Sequence, residues 1–159
     1  MKKKSEVAIE FASPSLLRIF ASMVYDSLLL AAISIAYGAL VVGIRIGLFG
    51  QPEVGHRIQW GLPAEIVITL GWVLTLMFFY VYFWQKFGQT LGMKTWRIQV
   101  VDAQTNQLLS YSQACKRSGF ALLSLVFVGL GYWLSLVHPQ HRLVHDLLSK
   151  TKLILLKKK

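Results

Sequence analysis

LLRIFASMVYDSLLLAAISIAYGALVVGI, residues 16–44, decides how the chain is read. Arg18 and Asp26 are its only charges, and none occurs from Ser27 to Ile44. About 20 apolar residues in helical conformation cross the hydrocarbon core of a bilayer, so this run is expected to be a transmembrane helix. Arg18 and Asp26 are separated by about 12 Å of helical rise, too far to pair directly. If Arg18 lies at the membrane surface, Asp26 lies near the middle of a core roughly 30 Å thick. An acid there costs roughly 2.5–3.5 kcal/mol and must face protein or water. A helix beginning nearer Tyr25 would instead leave Asp26 at the interface. On a helix Arg18, Ser22, Tyr25 and Asp26 share about 100° of arc, so one stripe carries the polar groups.

Upstream lies a short polar arm, Met1 to Pro14, with Ser13-Pro14 as a helix start. Downstream, Arg45 to Gly61 reads as a loop rich in turn residues, with Ile46, Leu48, Phe49 and Trp60 keeping it at the interface. Ile66 to Trp84 carries no charge and is the second expected span. Glu65 stands at its start, where the helix dipole favours an acid. Phe78, Phe79, Tyr80, Tyr82, Phe83 and Trp84 crowd its end as an aromatic belt at the membrane surface. Gly88-Gln89-Thr90-Leu91-Gly92 follows as a loop, without the glycine and Lys-Ser/Thr pattern of a phosphate-cradling P-loop. Trp96 to Val101 alternates like a strand. Its partner is either a return through Leu108 and Leu109 after the Asp102–Asn106 turn, or Thr151 to Leu156. Ser110 or Ser112 can cap the next helix, which carries Lys116 and Arg117.

Ser118 to Val137 is uncharged and long enough to span, but Gly129 and Gly131 interrupt it. Basic residues argue against a full crossing. With the N-terminus in the cytoplasm, the first loop is outside with Arg45 and Arg57. The second is inside with Lys86, Lys94, Arg97, Lys116 and Arg117. A third crossing would put Arg142, Lys150, Lys152 and Lys157 to Lys159 outside, against the positive-inside tendency. The expected architecture is an all-α membrane protein with two transmembrane helices, a third broken, re-entrant or interfacial helical segment, and a small β-hairpin-like cytoplasmic element. As one domain, 1–159, it divides into a first span of about 16–44, a second of about 63–84, a polar cytoplasmic segment 85–117, a third apolar segment of about 118–137 and a tail 138–159, both termini being cytoplasmic.

Composition excludes several functions. Apolar residues are 55% of the chain and charged residues 15%, the balance of a membrane protein. The net charge of +10 sits beside the apolar spans and at the termini, where it suits anionic lipid headgroups rather than nucleic acid. The lone Cys115 excludes an intramolecular disulfide and any multi-cysteine metal site. His141 and His145 share a helical face beside Asp146, but no second cluster supplies further ligands, so no metal and no cofactor is expected. No nucleophile–base pair appears, and no enzymatic activity is expected.

The motifs together resemble the RDD family of small bacterial membrane proteins, named for one arginine and two aspartates. The matching pieces are Leu17-Arg18 through Tyr25-Asp26, Gly88-Gln89-Thr90-Leu91-Gly92, Arg97-Ile98-Gln99-Val100-Val101-Asp102, Arg117, and Arg142-Leu143-Val144-His145-Asp146 through Thr151. The resemblance implies that Arg18 and Asp26 are the family's first arginine and aspartate. It makes Asp146 the second aspartate, with Asp102 the competing candidate. His138-Pro139 departs from the acid that many relatives carry before this proline. The resemblance also implies an inner-membrane protein of two spans that transports ions or small ligands, with cation–proton exchange among the suggested activities. Two or three helices cannot enclose a pathway, so a homo-oligomer or a membrane partner protein is expected. In that reading Asp26 carries the ion or proton, with Arg18 and Asp146 as the charges that gate or pair with it, and Arg117 and Arg142 as further members of the ion-binding or ion-pair network. The alternative is a non-transporting scaffold or partner subunit, in which the same Arg/Asp network only fastens the first helix to a cytoplasmic cap.

Overall fold

The structure, a computed structural model, describes residues 12–53, 58–126 and 144–157. Two long helices dominate it: α1, Leu16–Phe49, and α2, Leu62–Phe87. Both are long and apolar enough to cross a membrane, and almost no residue of their most apolar stretches is buried within the chain. α1 outruns the expected span, because Arg45 to Phe49 continues the helix and the first loop begins at Gly50. Gly50, with φ +78°, closes the helix by donating its backbone N–H to the carbonyl of Ile46 at 2.8 Å. At the other end Ser15, not Ser13, precedes the first helical residue.

Polar rungs fix α1 against α2. The Tyr37 hydroxyl donates to the carbonyl of Ile68 at 2.8 Å, and the indole N–H of Trp72 donates to Ser34 Oγ at 2.9 Å. Gly71 leaves room for this contact, since a Cβ on it would stand 2.5 Å from the Tyr37 hydroxyl and displace it. The pairings of 34 with 72 and 37 with 68 make the helices antiparallel. They bring the N-terminal part of α1 and the C-terminal part of α2 to the same end.

A small cap sits at that end. It contains α3 (Leu91–Thr95), β1 (Ile98–Asp102), the start of α4 (Tyr111–Val126), α5 (Val144–Leu148) and β2 (Thr151–Leu155). β1 and β2 pair antiparallel, from Ile98 opposite Leu155 to Asp102 opposite Thr151. The partner of β1 thus comes from the tail, and the sheet is not a local hairpin. Leu108 and Leu109 form no strand: Leu109 is a buried core residue, and Ser110 already begins the cap of α4. Ser110 Oγ accepts from the Gln113 N–H at 3.3 Å, while Gln113 Oε1 accepts from the Ser110 N–H at 3.0 Å. This reciprocal capping box saves two otherwise orphaned donors.

The core lies where the cap meets the helix pair. Ile19 of α1, Val81 and Trp84 of α2, Met93 of α3, Ile98 and Val100 of β1, Leu109 and Ala114 are buried together. The aromatic run of α2 is therefore not simply a belt: Phe79 and Trp84 are buried, and Phe78 and Tyr82 face outward. Gly88, with φ +66°, ends α2, and its carbonyl accepts from the Val100 N–H at 2.8 Å, joining the helix end to the sheet. Residues 127–143, which hold Gly129, Gly131, His138, His141 and Arg142, lie outside the described residues. The reading of 118–137 as a broken or re-entrant segment is confined here to α4, helical through Val126.

Candidate functional site

The buried stripe of α1 is Ile19, Ser22 and Asp26, one residue in every three or four. Tyr25, read from sequence onto this stripe, is half-exposed. Asp26 is 3% exposed and faces α3. Its Oδ2 accepts from the Thr90 hydroxyl at 2.5 Å, and its Oδ1 accepts from the Gly92 backbone N–H at 2.9 Å. Thr90 is also the N-cap of α3, its hydroxyl oxygen accepting from the Met93 N–H at 3.2 Å. One carboxylate thus meets the hydroxyl and the backbone amide that open a short helix 64 and 66 residues away.

Gly92 makes the approach possible. A Cβ there would stand 2.2 Å from the Ser22 carbonyl oxygen and 2.9 Å from Asp26 Cγ. The glycine-containing loop read from sequence is accordingly a docking surface for α1. Gln89 contributes separately, its side-chain amide donating to the carbonyl of Ile98 at 2.7 Å. Sequence reasoning found both Asp26 and the loop but missed their contact. The available signal was the pairing of a hydroxyl with a glycine two residues on, Thr90 and Gly92, which suits close backbone approach.

A second buried cluster lies on the α2–α4 side. Arg117, 3% exposed, forms an ion pair with Asp146 of α5, itself 2% exposed. The same Nη1 donates to Thr151 Oγ1 at 2.7 Å, and Ser149 and Thr151 hydroxyls lie 2.9 Å apart. The guanidinium carbon lies 4.8 Å from the centre of the Trp84 ring, over its electron-rich face. Nε of Arg117 is buried with no hydrogen-bond partner among the described residues. The cluster joins α4, α5, β2 and the end of α2 through one cation.

The remaining charges have separate places. Asp146 pairs with Arg117, whereas Arg18 is half-buried and in no ion pair among the described residues. Arg142 lies outside the described residues. Asp102, the competing second aspartate, organises the turn after β1. It accepts from the backbone N–H groups of Thr105 at 2.7 Å and Gln104 at 2.8 Å, and from the side-chain amide of Gln113. The Thr105 amide, with Gln113 next, pulls its carboxyl down to a pKa of about 2. Asp102 thus ties a turn to the α4 cap, and Asp146 occupies the buried ion pair. Among the described residues no group of three or more His, Cys, Asp or Glu could hold a metal ion.

The model of the RDD family matches residues 13–150. The matched span begins just before α1 and ends between α5 and β2. No curated protein and no solved structure matches the chain.

Proposed function

The chain belongs to the RDD family, and from that premise we propose that it is a two-span subunit of the bacterial cytoplasmic membrane whose Arg/Asp residues fasten the cap to the helix pair. One observation carries this reading: both oxygens of Asp26 are occupied by donors from the cap. Those donors are neutral, so the acid is engaged without a cation. Arg117 and Asp146 do the equivalent work for α2, α4 and the tail. The role is non-enzymatic. α1 and α2 leave long apolar faces such as Leu28, Ile35, Leu40, Leu70 and Leu74 exposed. In a bilayer these suit lipid, further copies of the chain or a membrane partner, and the working unit is an assembly. The cap, with Lys94, Arg97, Lys116, Lys150 and Lys152, and the adjoining end of α2 with Lys86 are cytoplasmic and rest on anionic headgroups. Reporter fusions at the C-terminus test this side; an extracytoplasmic signal rejects it.

Transport of ions or small ligands is the second reading, favoured by the uncovered length of both helices, which several copies could close into a pathway. The decisive experiment measures ion flux in liposomes for the wild-type protein and Asp26→Asn. Asn can donate to Thr90 Oγ1 while its oxygen still accepts from Gly92, so the fold should survive without a titratable group. Unchanged flux, or none in either protein, fits the fastening role. Abolished flux in a folded Asp26→Asn protein makes Asp26 the carrier and overturns it.

A further inference from the structure

At the end of the helix pair away from the cap, α1 and α2 part around an open groove of about 370 Å³. Val41 and Val42 of α1 and Ile68 of α2 wall it, and Trp60, Glu65 and Thr69 also line it. The walls are hydrocarbon, yet a carboxylate stands at the rim: Glu65, exposed in the first turn of α2. Arg45 lies on the same face of α1, three and four residues beyond Val42 and Val41. Glu65 and Arg45 are in no ion pair with each other or with any other described residue. Arg45 rests instead with its guanidinium carbon 4.6 Å from the centre of the Phe49 ring. The groove therefore offers an anion without an ion-pair partner, an indole and a hydroxyl above an apolar slot, with the Arg45 cation one turn beyond it on α1.

We propose that this groove holds one phospholipid with a primary-ammonium headgroup, of the phosphatidylethanolamine class. The headgroup is a zwitterion whose ammonium and phosphate are joined by two carbons. Glu65 accepts hydrogen bonds from the ammonium, and Trp60 supplies a ring face for the same cation. Arg45 takes the phosphate, for which its planar fork is suited. One acyl chain lies along Val41, Val42 and Ile68, where it remains continuous with the bilayer. A quaternary ammonium cannot donate to Glu65, and a glycerol headgroup carries no cation. The groove therefore distinguishes phosphatidylethanolamine from phosphatidylcholine and phosphatidylglycerol.

The test is native mass spectrometry of the full chain in detergent, titrated separately with phosphatidylethanolamine, phosphatidylcholine and phosphatidylglycerol. One phosphatidylethanolamine per chain should bind at least tenfold more tightly than either other lipid. Glu65→Gln, an exposed and conservative change, should remove that preference. Val42→Trp, which fills the slot, should abolish the one-to-one adduct, and Arg45→Gln should weaken it. Retention of the preference in Glu65→Gln overturns the proposal, as does equal binding of all three lipids to the wild-type chain. A dimer that Val42→Trp dissolves while lipid binding stays unchanged also overturns it, by showing a second copy in the groove.

Discussion

Gly92→Ala should detach the cap from α1. The added methyl carbon would meet the Ser22 carbonyl oxygen at 2.2 Å and Asp26 Cγ at 2.9 Å. Ordinary carbon–oxygen contact is about 3.4 Å, so α3 must retreat by roughly an ångström. Ser22 is part of the α1 backbone ladder and cannot give way cheaply. A retreat of that size lengthens the Gly92–Asp26 bond from 2.9 Å beyond hydrogen-bonding range. Overpacking costs about 1–3 kcal/mol and a lost bond to a charged acceptor about 1.5–3 kcal/mol. Together they predict roughly 3–5 kcal/mol, a large share of the stability of a small domain. Reversible denaturation in mild detergent, followed by tryptophan fluorescence through buried Trp84, measures it. The coupling is the sharper readout. Asp26→Ala breaks the same contact, so the double variant should cost little more than Gly92→Ala alone. A Gly92→Ala protein within 1 kcal/mol of wild type, or additive costs in the double variant, would refute the reasoning.

Asp26→Asn should cost about 1 kcal/mol and Asp26→Leu several times more, because Asn keeps both contacts and Leu leaves Thr90 and Gly92 unsatisfied; equal melting losses would contradict this. Arg117→Met should cost roughly 3–5 kcal/mol by removing the cation that joins Asp146, Thr151 and the Trp84 ring, as read by the same denaturation; a loss under about 1 kcal/mol would contradict this. Asp102 has a folded pKa of about 2, below its ordinary 3.8, so its contribution is complete above about pH 4 and lost as pH falls toward 2. Asp102→Asn should flatten the acid limb of the melting-temperature profile between pH 4 and 2, and an unchanged limb would count against it.

Much of this architecture was legible because bilayers impose simple demands. Uncharged runs from Ser27 and from Ile66 announce helices whatever they touch. The strand at Trp96–Val101 was visible from alternation, and Thr151–Leu156 was one of two candidate partners. Choosing between them required knowing that Ser110 is committed to Gln113 in a capping box and that Leu109 fills the core. The contact of Asp26 with Thr90 and Gly92 was beyond local pattern, since 64 and 66 residues separate the partners. Gly92 looks like a loop glycine until the Ser22 carbonyl is set against it. Read from sequence, Arg117 is one member of an Arg/Asp network in which Arg18 and Asp146 gate or pair with Asp26. Burial of Arg117 under Trp84 decides otherwise, because a desolvated guanidinium needs the nearest carboxylate far more than a half-exposed one does.

The depth of Asp26 changes what the acid is for. The rungs at 34–72 and 37–68 set Asp26 near the level of residue 80 on α2, where the cap begins. About 23 residues of α1 remain beyond it, roughly 34 Å of helix, enough to cross a 30 Å core with a slight tilt. From Leu62 to that level α2 supplies about 19 residues, roughly 28 Å, a close match to the same core. On the proposed two-span reading the acid stands at the membrane edge, clasped by a folded cap, and not alone in hydrocarbon. An isolated mid-membrane carboxylate would call for an ion, a proton or a counter-charge. A carboxylate satisfied by a hydroxyl and an amide calls for none of these. On that reading it holds α1 to the cap, as Arg117 of α4 does for the end of α2. Changes in this clasp should therefore be felt as changes in the spacing of the two helices, including at the groove where they part.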